Sequence, residues 1–178
     1  MLSSISSFLG RSKVNRSVDA DWREFEEEFC ISLPSDYKDF ISSYGPGRVR
    51  NNVIFFHPKA PMEPGSLSLG REIQRTAKSY RYTRSIDASL VPWPIYPESG
   101  WAVPIAREST GSQILLCRSS PEGASCSLIF DWRFGWDEYR MSFADFMVRG
   151  LSGDPDPPVF PAEDGDYPAF VPVGRLEE

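Results

Sequence analysis

Histidine and cysteine are scarce in this sequence: one histidine, His57, and three cysteines, Cys30, Cys117 and Cys126, among 178 residues. No histidine pair with metal-ligand spacing can therefore exist. No Cys-x-x-Cys pair is present either, so a zinc site or a thioredoxin-like redox pair has no foothold. The cysteines are also too few and too far apart for a disulfide framework. Cys30, after Phe29, and Cys117, after Ile114-Leu115-Leu116, read as small buried hydrophobes in a reducing compartment. No apolar run approaches the roughly 20 residues that span a bilayer. A basic excess is missing as well, since the formal net charge is -6. That argues against direct nucleic-acid binding over a broad surface. These absences predict a cytoplasmic protein without metal or cofactor.

What is present suffices for a folded core: 40% of residues are hydrophobic and 13% aromatic. The acidic excess is uneven. Residues 1–16 carry three bases and no acid, whereas residues 151–178 carry seven acids and one base, Arg175. At the N-terminus Leu2, Ile5, Phe8 and Leu9 recur at roughly helical spacing, and the basic residues Arg11, Lys13 and Arg16 follow rather than precede them. A secretory signal has the opposite order. The stretch reads as an arm that docks its apolar face on the body, in preference to a membrane-surface anchor or an amphipathic targeting segment. Three parts result: an arm over 1–18, one domain over 19–153, and an acidic, proline-rich tail over 154–178.

The spacing predicts two short helices in Asp19–Gly47. Asp21 and Glu24 form a capping-box-like pair, and Trp22, Phe25 and Phe29 share a face. Leu33-Pro34 ends that helix and Ser35 or Asp36 caps the next, in which Tyr37, Phe40, Ile41 and Tyr44 repeat the pattern. Gly45 and Pro46 close it. A strand is expected within Val49–His57, a third helix from Leu67 or Ser68 to about Tyr82, and a proline-broken loop over Val91–Ser99. Strands at Trp101–Arg107, Gln113–Arg118 and Ser127–Trp132, with turns between, form an antiparallel meander. Ser142 caps a last helix containing Phe143, Phe146, Met147 and Leu151, closed by Gly153. The tail has too many prolines for regular structure, though Phe160, Tyr167 and Phe170 can pin it. The fold class is α+β: an antiparallel sheet of about four or more strands, with helices packed at one face and end, in a single domain.

Catalytic motifs fail on inspection. His57 precedes Pro58 and looks like a strand-end residue. Gly45-Pro46-Gly47 lacks the third glycine of a phosphate loop and follows a helix. Gly65-Ser66-Leu67-Ser68-Leu69-Gly70 misses the spacing of a nucleophile elbow. Asp131, Asp137 and Glu138 flank Trp132 and Trp136, the one place where a glycosidase-like carboxylate pair is conceivable. Three surfaces could bind a partner instead. Glu24, Glu27 and Glu28 share the outer side of the first predicted helix, with Asp36 and Asp39 on the second; such runs are usually solvated, or they attract a basic partner. Trp132, Phe134, Trp136 and Tyr139 crowd beside Arg133 and Arg140, as core or as interface anchors. The Arg71–Arg84 stripe suits phosphate, an acidic protein or the acidic tail.

The order Trp22-x-x-Phe25-Glu26, then Leu33-Pro34-Ser35-Asp36-Tyr37-Lys38-Asp39-Phe40-Ile41, then Tyr44-Gly45-Pro46-Gly47 resembles the SUKH superfamily. Ser99-Gly100-Trp101 to Arg107, Thr110-Gly111 with Ile114-Leu115, Ser142-Phe143-x-x-Phe146 and Leu151-x-Gly153 extend the likeness over roughly 19–153. Cys117 stands where the superfamily often has Trp, and the arm and tail are additions. The superfamily includes fungal cell-wall synthesis regulators and bacterial toxin-immunity proteins, and no catalytic residues are known for its fold. The resemblance implies a binding protein that neutralises a cognate secreted toxin, such as a nuclease, by direct contact. The rival readings are a scaffolding or regulatory module of the same fold and a small hydrolase. Glu24, Glu27, Glu28, Asp36, Asp39, Trp136, Asp137 and Glu138 are the expected partner-binding residues.

Overall fold

A computed structural model of the chain describes residues 2–11, 19–60, 67–117, 127–133, 135–160 and 169–173. Helices α1 (Leu2–Leu9), α2 (Asp19–Glu28) and α3 (Ser35–Tyr44) come first. Strands β1 (Gly47–Val49) and β2 (Val53–Phe55) and the long helix α4 (Leu69–Ile86) follow. Then come β3 (Val103–Glu108), β4 (Gln113–Leu116), β5 (Leu128–Asp131), β6 (Trp136–Tyr139), α5 (Phe143–Leu151) and β7 (Phe170–Pro172). The strands form one antiparallel sheet in the order β6-β5-β4-β3-β2-β1-β7. The α+β class and the meander are as the sequence predicts, with β6 and β7 extending the sheet at its two edges.

Several elements differ in detail, each for a local reason. The expected strand over Val49–His57 is a hairpin, because Arg50 and Asn51 both take positive φ (45° and 51°) and Asn52 N–H donates to Val49 O at 3.0 Å. Asparagine tolerates that geometry and arginine does not favour it. The Arg50 guanidinium offsets the cost by donating to Leu151 O at 2.6 Å. Helix α2 begins at Asp19, which puts Asp21 inside the first turn, and Glu24 pairs with Lys59 instead of closing a capping box. The tail does contain regular structure: Phe170–Pro172 pairs with β1, an edge position at which proline costs no ladder hydrogen bond. Phe160 and Phe170 are buried, as expected; Tyr167 lies outside the described residues. Cys30 is exposed, not buried, since it occupies a turn at φ 51° after α2; Cys117 is half-buried, and Cys126 lies outside the described residues.

The two faces of the sheet carry different chemistry. On one, Val53, Phe55, Ile114, Leu116, Leu128 and Phe130 meet α1, α2, α3 and α5 in the main core. Phe143 is its hub, with ring centroids 5.2–5.9 Å from Tyr37, Phe40 and Phe55. Ile5 and Leu9 of α1 are buried there, and Tyr44 O–H donates to Gly10 O at 2.8 Å, so the arm docks as the sequence suggests. Gly45, at φ 74°, ends α3 with its N–H on Ile41 O. Gly150 lets the Phe160 ring press against α5 where any side chain would collide. The opposite face is covered by α4 and the loop around Val91 and Ile95.

Candidate functional site

The acidic positions on α2 stay together in the fold. Trp22 and Phe25 turn inward, which leaves Glu24, Glu27 and Glu28 exposed on the outer side. Glu24 is paired with Lys59, whose pKa is raised chiefly by that hydrogen bond; desolvation opposes the rise, and the charges of Glu24, Asp21 and Glu28 add smaller contributions to it. Glu26, the inward acid of the helix, accepts from Leu33 N–H at 2.7 Å and pairs with Lys38 at 3.0 Å, so it ties α2 to α3.

Asp36 and Asp39 part company. Asp39 is exposed on α3. Asp36 is buried; one carboxylate oxygen accepts from Tyr37 N–H at 2.9 Å and the other from Ala144 N–H at 3.0 Å. It serves the first turn of α5 from the start of α3, a strut between two helices rather than a contact for a partner.

On β6 the alternation of a strand separates the predicted residues. Trp136 pairs with Asp131 and Glu138 with Ile129, on the α4 face; Asp137 pairs with Phe130, on the core face. Asp137 accepts from Trp132 Nε1 at 2.7 Å, and Trp132 stacks on Phe130 at 5.1 Å. Trp136 packs against Tyr80 and donates to Leu90 O at 3.0 Å. Phe134 lies outside the described residues. Of the carboxylates considered for hydrolysis, Asp137 lies on the face opposite Asp131 and Glu138, and Asp131 already accepts from Tyr80 O–H and Arg133 N–H, both at 2.8 Å. His57 is buried and its Nδ1 accepts from Lys59 N–H at 3.1 Å, a strand-end role.

Sequence reasoning missed a polar row on the α4 face. Arg107, Gln113, Asp131 and Trp136 are cross-strand neighbours across β3, β4, β5 and β6. Above them Glu72 of α4, buried, is bonded by the Arg75 guanidinium and lies 3.5 Å from Arg107. The Gln113 amide, oriented by these neighbours, donates to Glu72 at 3.2 Å and accepts from Arg75 at 2.6 Å. The signal was available, since Glu72 adjoins Ile73 on the side of α4 that the apolar residues mark as inward. Beside the row opens a cleft of about 580 Å³, lined in part by Ser79, Tyr80, Thr83, Leu90, Arg133 and Trp136. Burial, then the nearby Asp131 carboxylate, push the Tyr80 phenol far above its ordinary pKa, so it remains a hydrogen-bond donor.

The basic stripe of α4 finds partners close by. Arg84 pairs with Glu98 at 2.9 Å and Arg81 donates to Tyr96 O, both within the proline-broken loop. Residues 161–168 and 174–178, which hold most of the tail acids, lie outside the described residues. Among the described residues no cluster of three His, Cys, Asp or Glu is placed to hold a metal ion, and no helix is long and apolar enough to cross a membrane.

Comparison with known proteins gives one result at the level of family. The model of the SMI1 / KNR4 family (SUKH-1) matches residues 18–149, which spans α2 to α5 and both faces of the sheet. No curated protein and no solved structure matches the chain. A match over most of the chain, on the helices and meander described above, is sufficient: the chain belongs to the SMI1 / KNR4 family (SUKH-1).

Proposed function

We infer that this protein is an immunity-type binding protein, which neutralises a cognate secreted toxin, such as a nuclease, inside the cytoplasm by direct contact and without a catalytic step of its own. The observation that carries the reading is the outer face of α2. Glu24, Glu27 and Glu28 are exposed there, on a ten-residue helix whose one base is Arg23. Asp39 on α3 adds a further exposed carboxylate. A basic toxin surface, of the kind that contacts nucleic acid, would be drawn to such a face and held over it. Charge complementarity of this type acts mainly on the association rate and weakens as salt rises. Trp136 and Glu138 at the edge of the α4 face form a second, smaller contact region, and Asp137 lies on the other side of the same strand.

Family membership supports a protein-interaction role, and the rest of the reading rests on the surface. The test uses the product of the neighbouring gene. Co-purification of the two proteins, with dose-dependent loss of the toxin's activity, is the expected result. A toxin that neither co-purifies nor loses activity removes the immunity role and leaves the regulatory reading of the same fold.

A further inference from the structure

The cleft between α4 and the strands β4, β5 and β6 holds more hydrogen-bond donors than its own residues use. Thr76, Ser79, Tyr80 and Thr83 line it from α4 at i, i+3, i+4 and i+7, a single face of the helix. Gln113, Asp131, Arg133 and Trp136 line it from the sheet and from the turn that joins β5 to β6. Asp131 is the one acid in the lining, and both its oxygens already accept, from Tyr80 O–H and from Arg133 N–H. The donors around it are unspent. Thr76 is 4% exposed and its hydroxyl has no hydrogen-bond partner, although a mid-helix threonine can turn that group onto the preceding turn. Ser79 and Thr83 add two further hydroxyls, neither bonded to another described residue.

Arg133 is held in place without being neutralised. Its backbone takes φ 71°, which residues other than glycine, asparagine and aspartate seldom adopt, and its N–H is secured on Asp131. Nη1 of its guanidinium donates to Thr110 O at 3.0 Å, and the group lies over Gly111, where a Cβ would stand 3.5 Å from its Cζ. Nε and Nη2 find no acceptor, and no carboxylate is within ion-pair distance, among the described residues. That free edge is the fork that grips an oxyanion through two parallel bonds. Arg75 differs, because Glu72 already holds it; it frames the cleft and supplies no free charge. Beyond the donors, Leu90, Val91 and the Trp136 ring form an apolar wall. The volume of about 580 Å³ lies within the range of small-molecule sites.

We propose that this cleft binds a small phosphate monoester that carries an apolar ring. The Arg133 fork and the Ser79 and Thr83 hydroxyls take the phosphate oxygens, and Trp136 and Leu90 pack on the ring. A phosphate suits the site better than a carboxylate, because its three terminal oxygens can accept from donors on α4 and on the β5–β6 turn together. The site is independent of the immunity reading, because it uses neither α2 nor the toxin.

The experiment is calorimetric titration of the full chain at low salt with phenyl phosphate, adenosine monophosphate and inorganic phosphate. The expected result is one-to-one binding of at least one ring-bearing phosphate, about tenfold or more tighter than inorganic phosphate. Arg133→Gln should weaken that binding by about tenfold or more, and Thr83→Val by a smaller factor. Lys78→Gln, which removes an exposed charge outside the lining, should leave it unchanged. Circular dichroism checks that each variant keeps the parent fold, and Thr83→Val, nearly isosteric, carries the test if Arg133→Gln does not fold. Several outcomes overturn the proposal: no binding of either ring-bearing phosphate, inorganic phosphate bound as tightly as the esters, or binding that survives both cleft variants. Equal weakening by Lys78→Gln also overturns it, since that result assigns the binding to general surface charge.

Discussion

The two faces of this sheet solve burial in different ways. Where α3 and α5 pack, the contact is aromatic, and Phe143 alone meets the rings of Tyr37, Phe40 and Phe55. Where α4 packs, a row of polar side chains crosses four strands, and Glu72, Arg75, Gln113 and Arg107 satisfy one another. Aromatic packing adds burial and edge-to-face energy, whereas a buried ion pair roughly balances its own desolvation. The first face should hold the fold together. The second should set how α4 sits and which groups border the cleft.

The largest effect expected is that of Phe143→Ala, which removes the hub ring and should cost about 3–5 kcal/mol in denaturant unfolding. Glu72→Ala should cost less, about 1–3 kcal/mol, because Arg75 and Arg107 are partly exposed and can turn to water. Equal losses for the two variants would break the comparison. A smaller effect concerns alkaline stability. Burial, then the hydrogen bond to Asp156, push the Tyr139 pKa up to about 12, against an ordinary value of 10.0. The unfolded chain gives up this proton first, so stability should be full below pH 10 and decline as the pH rises towards about 12. Tyr139→Phe should make that decline shallower, as read from unfolding curves across the range. The smallest change in stability, within about 0.5 kcal/mol, is expected for Glu24→Lys/Glu27→Lys/Glu28→Lys, since exposed charges contribute little to folding. The same triple variant should bind a basic toxin much more slowly in stopped-flow mixing, and the difference should shrink at high salt.

Local periodicity made the aromatic face readable from sequence. The inward rows of α2, α3 and α5 follow from the spacing of Trp22, Phe25, Tyr37, Phe40, Phe143 and Phe146, and their stops from Gly45-Pro46 and Gly153. The other face was harder, because its partners are distant in sequence. Nothing near Glu72 names Arg107 or Gln113, and nothing near Asp131 names Tyr80. The edge strands escaped for a related reason: Trp136–Tyr139 and Phe170–Pro172 acquire their conformation from the neighbours they pair with, β5 and β1, more than from their own residues. Asp36 shows the limit most clearly. In sequence it is one more acid on an acidic stretch, and only the position of Ala144 turns it into a buried strut.

The central claim is that the outer face of α2 meets the partner. Hydrogen exchange on the complex with the neighbouring-gene toxin tests it most directly. Added protection over Asp19–Glu28 and around Lys59, with little change along α4, is the predicted result. Protection that leaves α2 unchanged and falls on other elements would contradict it.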